Sequence, residues 1–361
     1  MSSSPRPAAP PRTRALLQVG LLIPLQGPAG MFGPSCELCA ELAVQQINDE
    51  GGLLGREVGL RVVDAGALPE RVGDEVDRLL RDGQVEAFVG WHTSAVRRAV
   101  APRVAGRVPY VYTALYEGGE VTPGVFMTGE TPHLQVLAAL QWMAREAGVR
   151  RWDVVGDDYV WPRRTAAAVV AAASTCGIEV QEQVFLRSGT QDHGAALRRL
   201  GGGDADGVLM LMLGENGVQF NRQFARSQLD EKCVRLSPLM DENMLLGSGA
   251  ASTRNLFSTA GYFEALATAE SLDFGARYSG AYGPHAPVLS SMGESCYEGL
   301  LLLARIARGA RSLEVGRLCA TASGTSWASP RGEVRVRGQH LQQQVYLAQA
   351  RGLDLDVIAA L

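Results

Sequence analysis

The sequence predicts an α/β protein of two lobes, each a parallel sheet flanked by helices, with a cleft between them. Three observations carry this expectation. Strand-like and helix-like runs alternate along the chain, with helices of about ten residues, the pattern of repeated βαβ units. The alternation restarts after Pro132 and so produces two similar halves. A length of 361 residues is also generous for a single hydrophobic core.

In the first half, an apolar strand over 17–24 runs into a turn over 25–30 that is rich in Gly and Pro. A helix over 36–48 follows, with its apolar face at Leu38, Leu42, Ala43 and Ile47, and Gly51 and Gly52 supply its stop. Strands over 58–64, 87–90 and 109–113 then alternate with helices over 70–82 and 95–104. In the second half, helices over 134–146, 164–176, 193–200 and 217–227 alternate with strands over 152–155, 179–185, 207–213 and 235–239. A short extended piece over 258–262 precedes a strongly apolar helix over 294–308. The alternating stretches 332–336 and 344–348 read as one β-hairpin.

Composition excludes several classes. Hydrophobic residues make up 46% and charged residues 20%, which is ordinary for a globular chain. The net charge of −4 and the lack of a basic block give no footing for nucleic acid. No run of apolar residues is long enough for a membrane span. Cys36 and Cys39 form a C-x-x-C without a second pair or a His pair, so they read as helix packing rather than a metal site. Residues 1–16 are rich in Ser, Pro, Ala and Arg and hold no apolar core of a secretory signal, so they read as a disordered tail of a chain that is cytoplasmic as written. A leader preceding that tail would place the protein in the periplasm or outside the cell.

Chemistry-bearing motifs are absent: there is no G-x-S-x-G elbow, no phosphate loop and no G-x-G-x-x-G after the first strand. The strand-end loops instead share one character. Trp91-His92-Thr93-Ser94 opens a helix, where Thr93 and Ser94 either cap it or, with its free N–H groups, hold a carbonyl or carboxylate oxygen. Tyr112 and Thr113 end another strand. Tyr159 and Trp161, two apart, face one side in extended backbone beyond the strand 152–155, and Pro162 starts the next helix. Gly214-Glu215-Asn216 closes a further strand. Such loops sit where α/β proteins place ligands. They collect hydroxyls, aromatics and acids without a nucleophile–base pair, since His92 and Ser94 diverge at a helix start, so they suit binding rather than catalysis.

The stretches A-V-Q-Q-I-N-D-E-G-G-L-L-G at 43–55, V-G-W-H-T-S-A-V-R-R-A at 89–99, Tyr116-Glu117-Gly118 and G-D-D-Y-V-W-P-R at 156–163 together carry a family likeness. The chain resembles the type I periplasmic-binding fold, in the branch of urea and short-chain amide receptors. That branch holds urea-binding proteins of ABC importers and an amide sensor that regulates amidase expression. The resemblance implies three crossovers, near 126–131, 259–263 and 329–333. It implies a first lobe of 17–128 plus 262–328 and a second of 129–261 plus 330–361, with the final hairpin in the second. By motif, Thr93 and Ser94 hydrogen-bond the ligand's amide or carboxylate oxygen, Tyr112 and Thr113 flank it, Tyr159 and Trp161 close over it, and Gly214 and Glu215 line the floor. His92 stands where the family generally has an aromatic or smaller residue, and Trp161 narrows the pocket.

The implied function is a non-enzymatic receptor for urea, a short amide or a similar small polar solute, with no metal and no cofactor. Its partner is a regulatory protein if it is a sensor, or an ABC permease if it serves an importer; the oligomeric state is left open. The alternative ligand is an amino acid, branched-chain or other, whose ammonium needs an acid. Glu215 and Asp157 are the candidates for that acid.

Overall fold

The computed structural model describes residues 16–187 and 189–361. The expected tail therefore lies outside the described residues except for Leu16. β1 (Leu16–Ile23), β2 (Glu57–Asp64), β3 (Ala87–Gly90), β4 (Tyr110–Tyr112) and β5 (Val125–Met127) form a parallel sheet in the order β2-β1-β3-β4-β5. α1 (Gly33–Asp49), α2 (Pro69–Arg81) and α3 (Ser94–Val104) connect its first four strands. The second half repeats the plan. β6 (Arg151–Asp157), β7 (Glu179–Leu186), β8 (Gly207–Leu211), β9 (Val234–Ser237) and β10 (Leu256–Ala260) lie in the order β7-β6-β8-β9-β10, again parallel. α4 (Ala138–Glu146) leads into β6, and α5 (Val160–Cys176), α6 (Gly194–Leu200), α7 (Gly214–Arg226) and α8 (Glu242–Ser248) link the strands.

Each sheet thus reverses its strand order at one point, between β1 and β3 and between β6 and β8. Loops at such a reversal part to opposite faces and leave a crevice at the carboxyl ends of the strands. The central strands β3 and β8 are short, with every residue inside, so they anchor the loops that follow them.

After β10 the chain forms α9 (Ala269–Tyr282), α10 (Ser291–Ala310) and α11 (Val315–Thr321). α10 lies against α1, where the Cys36 thiol donates to the Met292 carbonyl at 3.4 Å. Cys36 and Cys39 are buried and unpaired, as packing residues. α9 was not expected from its sequence, because it is rich in Gly and Ser. It forms on a narrow face, Ser271, Phe274 and Tyr278, with Thr268 capping Ser271 N at 3.1 Å.

Two expectations are corrected at the C-terminal end. The sheets are mixed rather than purely parallel. β13 (His340–Gln342) joins the edge of β5, and β12 (Gly332–Arg337) and β11 (Ser326–Ser329) follow antiparallel. β14 (Tyr346–Arg351) pairs antiparallel with β10, and β15 (Asp354–Ala360) with β14. The hairpin expected between 332–336 and 344–348 does not form, and 332–336 belongs to the first sheet, not the second. Gly338 and Gly352, both at positive φ, place tight turns inside each segment, so each strand pairs with its immediate neighbour instead.

The chain passes between the sheets three times, after β5, after β10 and after β13. A buried polar network ties the three passages together. Glu130 on the first accepts Gly261 N of the second at 2.7 Å. Gln343 on the third donates to Thr128 O at 3.0 Å and accepts from Arg331 at 2.5 Å. Arg331 is fully buried, and its Nε donates to Glu294 of α10 at 2.9 Å. Glu298, one turn on, takes a hydrogen bond from Ser329 and is held above the usual carboxylate range by burial. A Cβ at Gly261 would stand 2.7 Å from Glu130 Oε1, so the Glu130 side chain would have to shift.

Candidate ligand-binding cleft

The loop after β3 is organised from beneath. The His92 ring is buried, and its two nitrogens are engaged: Nδ1–H fits donation to Thr93 O at 3.2 Å, and Nε2 accepts from the Tyr110 hydroxyl at 2.7 Å. Burial pushes the imidazole down to about 3, so it is neutral. The Tyr112 hydroxyl donates to His92 O at 2.7 Å and fixes the loop a second time. Thr93 then caps α3, accepting from Val96 N at 3.4 Å. The remaining first-turn N–H groups of α3 have no partner within the helix.

Ser94 is spoken for. Its hydroxyl donates to Glu117 at 2.8 Å and accepts from Arg97 at 3.2 Å. Arg97 is buried, pairs with Glu117 at 2.8 Å and Glu120 at 3.1 Å, and lies over the Tyr112 ring at 5.0 Å. This cluster holds α3 against the loop after β4. Burial raises the Tyr112 phenol to about 12, so it remains a donor across the physiological range.

From the other side, Asp157 ends β6. It is buried, accepting Leu213 N at 2.7 Å and Asn216 Nδ2 at 2.9 Å, which ties the β6 and β8 loops together. Burial raises its carboxyl to about 6, partly offset by these two bonds. Tyr159 leads α5 in an extended conformation, and Trp161 is buried in its first turn. Gly214 adopts φ +48° and approaches the first half so closely that a Cβ would meet Pro28 O at 1.9 Å. The next N–H, of Glu215, donates to Pro28 O at 2.9 Å, a backbone bond between the halves.

Two spaces result. Where His92, Thr93, Ser94, Tyr112, Tyr159 and Trp161 converge, only about 10 Å³ is free, room for about one water. Beside it a cavity of about 270 Å³ opens between the β1, β2 and β3 loops on one side and the β6 and β8 loops on the other. Thr93 and Tyr159 border both spaces. Pro24, Pro28, Ala29, Ala65 and Ala67 make much of the larger one apolar, while Thr93, Asp157 and Asn216 supply polar groups. Among the described residues its lining contains no Lys, Arg or His.

Of the residues expected from sequence, seven gather at the cleft: His92, Thr93, Ser94, Tyr112, Tyr159 and Trp161 around the smaller space, and Gly214 at the lobe contact. Two do not. Thr113 turns away to α10, with its hydroxyl 4.0 Å from Cys296 Sγ and its methyl over Gly299, because strand residues alternate faces and Tyr112 takes the cleft side. Glu215 is exposed, accepting from Gln219 at 2.5 Å; the tight turn at Gly214 aims its N–H at the opposite half and its side chain at solvent. The loops 24–29 and 65–69 were missed. The first reads only as a turn and the second carries no assigned element, and both become walls by facing the second half.

A family profile described as periplasmic binding protein matches residues 17–354. The Leu/Ile/Val-binding protein BraC3 of Rhizobium johnstonii is 25% identical over 194 residues, 53% of each chain, so the match spans about half the length of that relative. Leu/Ile/Val-binding protein homolog 6 of Brucella melitensis is 23% identical over 350 residues, 94% of this chain and 88% of that one. Among solved structures, a solute-binding protein of an ABC transporter from Rhodopseudomonas palustris, in complex with 3,4-dihydroxybenzoic acid, superposes with a TM-score of 0.84 at 21% identity, covering 96% and 97% of the two chains. The leucine-binding protein LivK of Thermotoga maritima gives 0.84 at 20% identity, covering 96% and 98%.

Proposed function

The chain belongs to the periplasmic binding protein family, and from that premise we propose that it is the solute-binding receptor of an ABC-type importer, taking a small α-amino acid with an apolar side chain. The observation that carries this reading is the 270 Å³ cavity with a buried carboxylate on one side and a helix start on the other. The α3 N-terminus suits a carboxylate. Asp157 faces it from the second half, with lone pairs left beyond its two hydrogen bonds, and suits an ammonium. The apolar walls suit a short hydrocarbon side chain, and the volume suits a compact ligand. A ligand that touches both halves favours the closed arrangement by its differential affinity.

The names of the aligned relatives, Leu/Ile/Val-binding proteins, support the same class. Urea and short amides are less well served. They need nearly every donor and acceptor matched once water is excluded, whereas this cavity is largely apolar and the space among the expected residues is filled. A lone aromatic acid, the ligand class of the Rhodopseudomonas protein, would bring an anion to a lining with acids and no base.

The test is calorimetric titration of the purified chain with leucine, isoleucine, benzoate, acetamide and urea, repeated on Asp157→Asn. Leucine or isoleucine should bind, and at least tenfold more weakly to the variant. Benzoate binding that survives Asp157→Asn, with leucine silent, would replace the amino-acid reading by the aromatic-acid one. Heat from acetamide or urea alone would restore the amide reading.

A further inference from the structure

A second cavity, of about 570 Å³, lies away from the cleft. It is bounded by α8 (Glu242, Leu246), the segment after β10 (Glu264, Ala265), the loop before α10 (Val288) and the β14–β15 turn and strand (Leu353 to Asp356). It therefore touches the second sheet's hairpin, the second passage between the sheets and the approach to α10. Glu264, Asp354 and Asp356 form an exposed acidic rim, and Glu242 forms a buried floor.

Glu242 is the unusual member. It is 6% exposed; its Oε1 accepts Glu264 N at 2.9 Å, and its Oε2 has no partner among the described residues. A buried carboxylate oxygen without a partner is costly, and Glu242 lines a cavity that holds no Lys, Arg or His among its described residues. Among the described residues Asp356 alone of the four makes an ion pair, with Arg351 at 3.0 Å. Among the described residues no group of His, Cys or acids is placed to hold a metal ion, and Leu246, Val288 and Leu353 line the same cavity with hydrocarbon.

We propose that this cavity is a second ligand site, for a short aliphatic organic cation of the alkylammonium or alkylguanidinium class. The cationic head takes the free oxygen of Glu242 and the rim carboxylates, and the methylene stem lies on the leucine and valine side chains. Burial, reinforced by Asp241, raises Glu242 to about 8. The groups around it are Asp241 on its own turn, Tyr262 and Glu264 on the crossing segment, and Asp354 and Asp356 on the hairpin, the latter paired with Arg351. At neutral pH the floor is thus largely protonated, and binding of a cation displaces that proton into solvent.

The probe is agmatine, which has both head types and no carboxylate to engage the α3 terminus. Titrated calorimetrically at pH 7 in buffers of different ionisation enthalpy, with potassium chloride at matched ionic strength as reference, it should bind with net proton release. Affinity should rise severalfold by pH 8.5. Glu242→Gln, which keeps the acceptor for Glu264 N, should weaken binding at least tenfold and abolish the proton release. The rim pair Asp354→Asn with Asp356→Asn, on exposed positions that leave folding intact, should also weaken it, and Asp157→Asn should not. No heat above the salt reference, equal binding by the rim variant, loss in Asp157→Asn, or calcium chloride binding more tightly than agmatine would each overturn the proposal.

Discussion

The cleft and the three chain passages beside it treat charge in opposite ways. The cleft isolates one buried carboxylate, Asp157, among apolar walls and leaves part of its hydrogen-bonding capacity unused. The passages gather Glu130, Glu294, Glu298, Gln343 and Arg331 into a network whose bonds are made from within, with Glu298 Oε1 left over. The contrast separates two tasks. A region that must accept a ligand keeps capacity in reserve, and a region that must hold three strands of chain in register spends its capacity on itself.

The largest effect should come from the arginine at the centre of the passages. Arg331→Met removes one partner of a fully buried pair, and loss of about 3–5 kcal/mol is expected in urea unfolding because the remaining carboxylates stay buried. A loss below about 1 kcal/mol would mean that the network is wet and the contrast false. Gly261→Ala comes next. Its Cβ would press on Glu130 Oε1, and overpacking of this kind costs about 1–3 kcal/mol. It should also change the extent of ligand-driven compaction seen by small-angle scattering, whereas a cleft substitution changes only the concentration at which compaction occurs.

A pH titration sharpens the comparison without mutation. Asp157 and Asp241 are both raised to about 6 by burial. Between their unfolded and folded values the native chain binds more protons than the unfolded one, so stability falls as pH rises through that window. The ligand-free protein should therefore resist urea better at pH 5 than at pH 7. Amino-acid affinity should move the other way and decline below about pH 6, as Asp157 gains its proton. The smallest effect is expected at Glu215→Gln. An exposed side chain turned from the cleft should change stability by less than about 0.5 kcal/mol and leave leucine affinity unaltered.

The alternation that defines both halves was legible because strand and helix periods are local properties. The strand-end loops were legible because parallel sheets present their carboxyl ends to ligands. Thr113 points away from the cleft by strand alternation, a local rule, and meets α10, nearly two hundred residues later. What else escaped was decided at long range. Glu215 leaves the cleft because Gly214 bends to meet Pro28 from the other half. Arg331, Glu294, Glu130 and Gln343 are scattered through the chain and share no spacing that could announce a network. The tail hairpin was misjudged because alternation marks a strand but not its neighbour; the turns at Gly338 and Gly352 chose that.

The bond from Glu215 N to Pro28 O carries a consequence for tuning. It joins the halves through backbone alone, so its strength bears on the fraction of molecules already shut before any solute arrives. Apparent affinity scales with that fraction. Altering Gly214, which lies outside the cavity's lining, should therefore shift sensitivity to every solute by one common factor, as a volume control does, while the walls and Asp157 choose the station. On the reading proposed above, sensitivity can be adapted to scarcity or plenty without relearning what is recognised.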